Sequence, residues 1–460
     1  MQILVILILL TQAIDMYQLF SIGGYGVIPN IVFCFILYLL LAIKILLKKE
    51  KYYLKNISSA FKFLILICIA VLLSCFYPIY WGNSVVLQQF IKSSFHFYFI
   101  ILFTIICYIY PIDNKTWSKF IKIWLILSIF VNLFGIYQII ARAFGLPFAW
   151  LEYNNVSLMA RNTLQVDSFQ QLSLQFQNFF RATSFFSEPS ALAVFNSYTL
   201  TFIIIPYVQN KKNFLNNKTL TSLVFILALI GLFLTFSLTG LMCITSILIL
   251  MLIIENKKFL KKFILISFIS FVVVIITDIL VKDYSNISIL ELFSERIEGI
   301  VKGGTKVNKQ ITGESFTTRI ESAQEGIKLW EKSPITGIGL GTHQYHPESK
   351  YTFGGYTILV ALTETGIIGF IGFIGMFFFL FYDSYKLKLN ISIDKNSDED
   401  NRLQGIIIYI VLLLFVVNFF SANHFISPPL WNFIGMIFAI FNNNVNNHNL
   451  LIQPYNKTIN

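Results

Sequence analysis

The 460 residues predict an all-α fold: a polytopic membrane helix bundle of about twelve spans, with one large, partly helical loop held on the non-cytoplasmic side. Three observations predict it. The chain is 56% hydrophobic and 12% charged, with mean hydropathy +0.71, where soluble domains carry about 25% charged residues. Apolar runs of roughly 18 residues recur along its length, each able to cross a hydrocarbon core of about 30 Å as a helix. Lysine clusters fall between these runs in a consistent alternation.

Helices are the only reading for the runs. Lipid leaves open backbone groups unsatisfied, and the runs do not alternate as barrel strands would. They fall at 3–20, 27–47, 60–80, 95–111, 120–141, 184–207, 220–237, 239–254, 263–281, 356–382, 404–420 and 428–445. The stretch 220–254 is too long for one span. It breaks at FSLTG, where Ser237, Thr239 and Gly240 permit a tight hairpin. The N-terminus has no basic region and no small-residue cleavage site, so it reads as a retained first helix. All five Cys lie in apolar runs, which gives the large loop no disulfide and the chain no zinc-ligand spacing.

The net charge of +11 sits in short topogenic clusters, which argues against nucleic acid as a partner. The basic segments after the second, sixth and eighth runs agree on one side. Placing them in the cytoplasm puts both termini there too. The chain then divides into a bundle over 1–281 that includes an outside loop 142–183, the large loop 282–355, the last spans within 356–445, and a cytoplasmic tail 446–460. The Asn-rich stretch 442–460 reads as disordered. Outside the large loop, the non-cytoplasmic cations are Lys92, Arg142, Arg161 and Arg181.

Three segments hold candidate chemistry. In FRATSFFSEPS, Arg181 lies at the outer edge of the sixth run and Glu188 about two turns into it, seven residues later, so a helix places both on one face. Pro189 then kinks that helix. A carboxylate at that depth needs a partner or a wet cavity. A structural brace and an anion-binding or acid–base site both fit. In TRIESAQEGIKLWEK, Thr318 and Glu321 form a capping box and Arg319 opens a helix. Its apolar face of Ile320, Ala323, Ile327 and Trp330 is expected to pack on the bundle, before Pro334 and the Gly-rich SPITGIGLGT end it. In the third, His343, His346 and Glu348 precede a membrane run that contains Glu364. A histidine there suits a general base near neutral pH, and equally a solvated loop. Two His at i, i+3 have no third ligand nearby, so no metal is expected.

Taken in order, these segments resemble the O-antigen polymerase and O-antigen ligase superfamily of bacterial surface-polysaccharide assembly. The family's Arg followed by an aromatic-Ser-Glu-Pro helix entrance corresponds to FRATSFFSEPSALA. Its Ser-Arg-Thr-Gly hairpin corresponds to FSLTGLM, with Leu238 in place of the Arg. Its Arg helix with a Pro and a Gly-Ile-Gly-Leu-Gly turn corresponds to residues 318–342, and its Glu-Thr-Gly-Ile-Ile-Gly entrance to TETGIIG. The motifs cover roughly 180–370. Where ligases carry His-Asn, this chain has Gly355 and Tyr356, which favours the polymerase over the ligase. A lipid-linked oligosaccharide flippase is the non-enzyme alternative, and the absence of paired halves argues against it.

The resemblance implies a glycosyltransferase in the bacterial plasma (inner) membrane, working on its outer face without metal or cofactor. The donor is a glycan on undecaprenyl pyrophosphate and the acceptor a hydroxyl of another lipid-linked repeat. Implied partners are that glycan, membrane lipid, a chain-length regulator and a flippase. Arg181, Arg319, Arg161 and Arg296 are then the candidates for holding pyrophosphate, since Arg forks bind phosphate bidentately. Glu188, His343, His346 and Glu364 are the candidates for catalysis.

Overall fold

The computed structural model turns the apolar runs into helices at the positions hydropathy sets. It describes the chain except for residues 12, 13, 15, 23, 24, 48–56, 111, 153, 156–170, 172, 174, 177, 178, 256–259, 302–313, 352–355, 391–397, 421–424 and 453–460. The first half holds α1 (Gln2–Thr11), β1 (Phe20–Ile22), β2 (Tyr25–Val27), α2 (Pro29–Leu46), α3 (Ser59–Leu73), α4 (Phe76–Trp81), α5 (Ser84–Ile109) and α6 (Asn114–Phe144). A two-residue hairpin, β3 (Gln175–Phe176) and β4 (Phe179–Phe180), leads to α7 (Pro189–Val208), α8 (Lys218–Leu234), α9 (Leu238–Ile254) and α10 (Leu260–Ser285). Then come α11 (Ile289–Val301), α12 (Glu314–Trp330), α13 (Thr357–Asn390), α14 (Asp398–Phe420) and α15 (Pro428–Ile452).

Eight helical stretches among the described residues are long and apolar enough to cross a membrane; α1, α8 and α9 are apolar but shorter. The first run is helical only to Thr11, after which Gln18 N–H donates to Asn154 Oδ1 beside the β1–β2 hairpin. The predicted break of 220–254 is present, with α8 ending at Leu234 and α9 beginning at Leu238.

The ends of the bundle sort by contact. One end, the loop face, joins α4, the described residues of 142–188, the α8–α9 turn, α11, α12 and the start of α13. At the other, the lysine face, Lys211 donates to the Asn401 carbonyl, Arg402 to Asn213 O at 3.0 Å, and Asn114 to Asp400 at 2.6 Å. The central helices α7 and α14 are buried over most of their length, while α2 and α10 face outward.

Aromatic rings fill the centre, with Tyr198 stacked on Phe433 at 4.5 Å and Trp124 on Phe195 at 4.4 Å. Polar pairs set register. Asn132 and Asn196 exchange amide bonds at 2.9 Å between α6 and α7, and a Cβ on Gly231 of α8 would meet Asn132 Oδ1 at 1.8 Å. Such bonds average about 0.6 kcal/mol in membranes, so the pair specifies alignment more than it stabilises.

Four expectations need correction. Glu188 is not two turns inside a helix: it is the N-cap of α7, and Pro189 takes the first helical position. Pro favours that position, and the residue before it avoids helical backbone. The proline inside α7 is Pro206. Arg319 does not open α12, which starts five residues earlier at Glu314; the Thr318 side chain lies outside the described residues. The α12 face that meets the bundle is also different. Ser322 and Leu329 are buried with Gly326, while Ile320 and Ile327 are exposed. Small residues let the α12 backbone approach α13, and Thr363 Oγ1 donates to Gly326 O at 3.1 Å. Finally, α15 runs into the Asn-rich stretch read as disordered. Asn442 and Asn443 there donate to Tyr108 O and Ile112 O at 2.7 and 2.6 Å.

Candidate active site

The Gly-rich turn and the TETG segment form one unit. Gly366, at φ +68°, breaks α13 in two, which frees carbonyls that a continuous helix would use. Ile338 N–H donates to Thr363 O at 3.0 Å, Gly339 N–H to Glu364 O at 3.1 Å, and Ile367 N–H to Pro334 O at 2.9 Å. The backbones touch so closely that a Cβ on Gly337 would lie 2.4 Å from the Glu364 carbonyl, and one on Gly366 would lie 2.1 Å from Ile335 O. Gly337 also has φ +76°, so it is glycine for two reasons. The Glu364 carboxylate is 1% exposed and accepts from Gly341 N–H at 2.8 Å.

The loop histidines sit against this unit. His343 Nε2 lies 3.1 Å from Glu325 Oε1 on α12. Glu325 also accepts from Ser349 Oγ at 2.6 Å and Lys350 N–H at 2.9 Å. Burial works against that carboxylate, but these bonds outweigh it and hold its pKa below the ordinary range. Burial likewise lowers His343, and the bond to Glu325 offsets only part of the effect. A neutral ring that donates Nε2–H to Glu325 keeps its lone pair on Nδ1. That nitrogen is buried and has no hydrogen-bond partner among the described residues.

His346 stacks on Trp81 at 4.5 Å and stands 5.6 Å from Tyr77, both on α4. Burial pushes it down to about 4, with Lys332 and His343 adding to the effect, and its Nε2 is also unpartnered among the described residues. Helices α4 and α5 close the cluster from beneath. Pro78 lies under Gly339, Ser93 under Gly341, and Tyr345 O–H donates to Gln89 at 3.3 Å. Lys332 and Glu348 pair at 2.7 Å on the exposed rim.

A second cluster gathers the arginines of the loop face. Arg181 Nε donates to Thr235 O at 2.7 Å, a cation at the C-terminal end of α8 where the helix dipole favours it. Arg142 binds the Arg181 carbonyl at 2.6 Å, Ala149 O at 2.8 Å and Thr183 Oγ1 at 2.6 Å, and lies 4.1 Å over Trp150. It is a buried brace for the segment that carries Arg181. Glu188 is half-buried and its side chain makes no cap bond, so the helical Arg181–Glu188 pairing does not form. Arg319 is half-buried on α12. Arg161 and the Arg296 side chain lie outside the described residues.

His343, His346 and Glu364 thus share one cluster, while Arg181 and Glu188 belong to another. Sequence reasoning missed Glu325, Trp81 and Tyr77. Glu325 stands four residues after Glu321 on the same helix, and nothing in its local pattern distinguishes it. The first cluster offers a neutral buried imidazole held by a carboxylate, and the second offers guanidinium groups at a helix end.

The comparisons agree with the motifs. A family model described as WcaD colanic acid polymerase matches residues 6–295, more than half of the chain. A second, described as O-antigen ligase, matches residues 223–374, a stretch that contains both the Gly-rich turn and the break in α13. No single curated protein matches the chain.

Proposed function

The chain belongs to the WcaD colanic acid polymerase family, within the O-antigen polymerase and ligase superfamily, and from that premise we propose that it is the polymerase. At the coarser level, this is a multi-pass membrane protein of bacterial O-antigen or exopolysaccharide polymerisation or ligation. The observation that carries the finer reading is the reach of the polymerase family over 6–295, beside a ligase match confined to 223–374. The Gly355–Tyr356 departure from the ligase pattern points the same way.

In this reading the donor is a glycan on undecaprenyl pyrophosphate at the loop face, taken as the outer face of the plasma membrane. An acceptor sugar hydroxyl attacks the donor's anomeric carbon. The new glycosidic C–O bond forms as the bond from that carbon to the pyrophosphate oxygen breaks. The acceptor proton passes to His343 Nδ1, and undecaprenyl pyrophosphate leaves with the bonding pair. Glu325 acts as a positioning residue that fixes the His343 tautomer, and Arg319 and Arg181 hold the departing charge. Glu188 is the second candidate base, because its carboxylate is half-exposed and unspent on capping. The isoprenoid chain reaches the site from the bilayer. An apolar cavity of about 570 Å³ between the β1–β2 hairpin, α2 and α5 supports this route. Lys92 and His96 line it, on the helix whose Gln89 and Ser93 meet the Gly-rich turn.

The test is the polysaccharide ladder of a deletion strain carrying each variant at normal protein level. His343→Gln and Arg319→Ala are expected to leave a single repeat unit on the surface. Loss of chain growth in Glu188→Gln but not in His343→Gln moves the base to Glu188. Full-length chains stranded on the lipid carrier in the deletion strain would make the protein a ligase.

A further inference from the structure

A cavity on the lysine face lies away from both loop-face clusters. It measures about 850 Å³ and opens between the end of α7, the linker 209–217, the start of α8, and α10. Its inner wall is apolar, with Ile204, Phe225 and Leu265, and its rim carries Lys211, Lys212 and Lys218. Among the described residues no Asp or Glu lines it, and Glu255 acts on Lys211 from outside the lining.

The rim is held in place by the fold. Lys211 N–H bonds Pro206 O at 2.8 Å, and its ammonium donates to the Asn401 carbonyl. Burial lowers Lys211 to about 8, which leaves it largely charged at neutral pH. Arg402 grips the linker through Asn213 O at 3.0 Å and lies 5.0 Å over the Phe214 ring. Lys262, at the start of α10, donates to Tyr207 O and Asn210 Oδ1 at 2.6 Å each. The α10 wall faces outward from the bundle, so the cavity communicates with the bilayer rather than with the core.

We propose that this cavity is a binding site for an anionic phospholipid of the leaflet on the lysine face. The apolar wall takes the acyl chains and the three lysines take the headgroup phosphate. Basic pockets between membrane helices suit such headgroups. Charge selects among lipids. A zwitterionic headgroup brings an ammonium that meets no carboxylate among the described lining residues, whereas phosphatidylglycerol or cardiolipin brings negative charge alone. The bound lipid ties α7 to α8 at the ends opposite Glu188 and Thr235, so it braces from below the two helices that frame Arg181.

The experiment uses the full chain in detergent and native mass spectrometry with phosphatidylglycerol or phosphatidylethanolamine added. The wild-type protein is expected to retain phosphatidylglycerol selectively. The Lys212→Gln/Lys218→Gln double variant should bind it about thirtyfold more weakly. Lys261→Gln, outside the cavity lining, should bind as wild type. Ser222→Phe fills the cavity without touching charge and should lose the lipid too. Unchanged phosphatidylglycerol binding in both the double variant and Ser222→Phe overturns the proposal, as does equal retention of phosphatidylethanolamine. Displacement of the lipid by millimolar inorganic phosphate would make this a free-phosphate site and overturn it as well.

Discussion

Glu255 on the lysine face and the histidines on the loop face are buried in opposite ways. On the lysine face, Glu255 accepts from Lys388, from Tyr409 O–H at 2.6 Å and from Gln209 at 3.0 Å, so the carboxylate meets a full set of donors. On the loop face, Glu364 and Glu325 are engaged, yet His343 Nδ1 and His346 Nε2 have no partner among the described residues. Unmatched buried nitrogens carry a desolvation penalty of about 1–3 kcal/mol each. A carboxylate saturated by three donors reads as architecture, a latch between α7, α9, α13 and α14. A face that leaves lone pairs waiting reads as chemistry.

That contrast can be broken in several ways. The largest expected effect is on the waiting lone pair: His343→Gln should cut chain growth by roughly 10²–10⁴-fold with the protein still folded. Repeat-unit ladders beside a thermal melt check both halves, and normal chain growth would remove the loop face's claim to chemistry. Next comes the latch. Glu255→Gln leaves Lys388 without its counter-charge and should cost about 3 kcal/mol of stability, with activity per folded molecule unchanged. Lost activity without lost stability would reverse the comparison. A smaller effect is expected at the seam between loop and span. Gly337→Ala puts a Cβ against the Glu364 backbone at positive φ and should cost roughly 1–3 kcal/mol, read as a lower melting temperature with shortened chains.

The smallest effect is one of pH. His346 falls from an ordinary 6.5 to about 4, so the unfolded chain takes up its proton first. Stability should be constant above pH 6.5 and decline as the pH falls from there to about 4. His346→Phe keeps the stack on Trp81 and should flatten that decline. Melts at about pH 7 and pH 4.5 decide it.

Much of the fold was legible because hydropathy and turn chemistry are local. The helical character of the apolar runs and the break at 235–237 follow from runs of neighbouring residues. The errors arose where tertiary contact overrode a local pattern. Periodicity chose Ile320 and Ile327 as the packed face of α12, but close approach to α13 selected Ser322 and Gly326. Helical spacing joined Arg181 to Glu188, yet Pro189 starts a helix there and turns the two apart. The Gly-rich turn and TETG were each visible as motifs. Their union was not, because it is made by backbone bonds between residues 25 positions apart, such as Ile338 with Thr363. Glu325 was invisible for the same reason: only the fold brings it to His343.

The glycine seam has a mechanical consequence. Its two strands of backbone are locked by hydrogen bonds and by contacts too tight for a single added carbon, so that end of the loop cannot slide or lift without tearing bonds inside the bundle. Residues 334–342 act as a hinge post sunk into the membrane. His343 follows the post directly, and its bond to Glu325 ties α12 to the same fixed point.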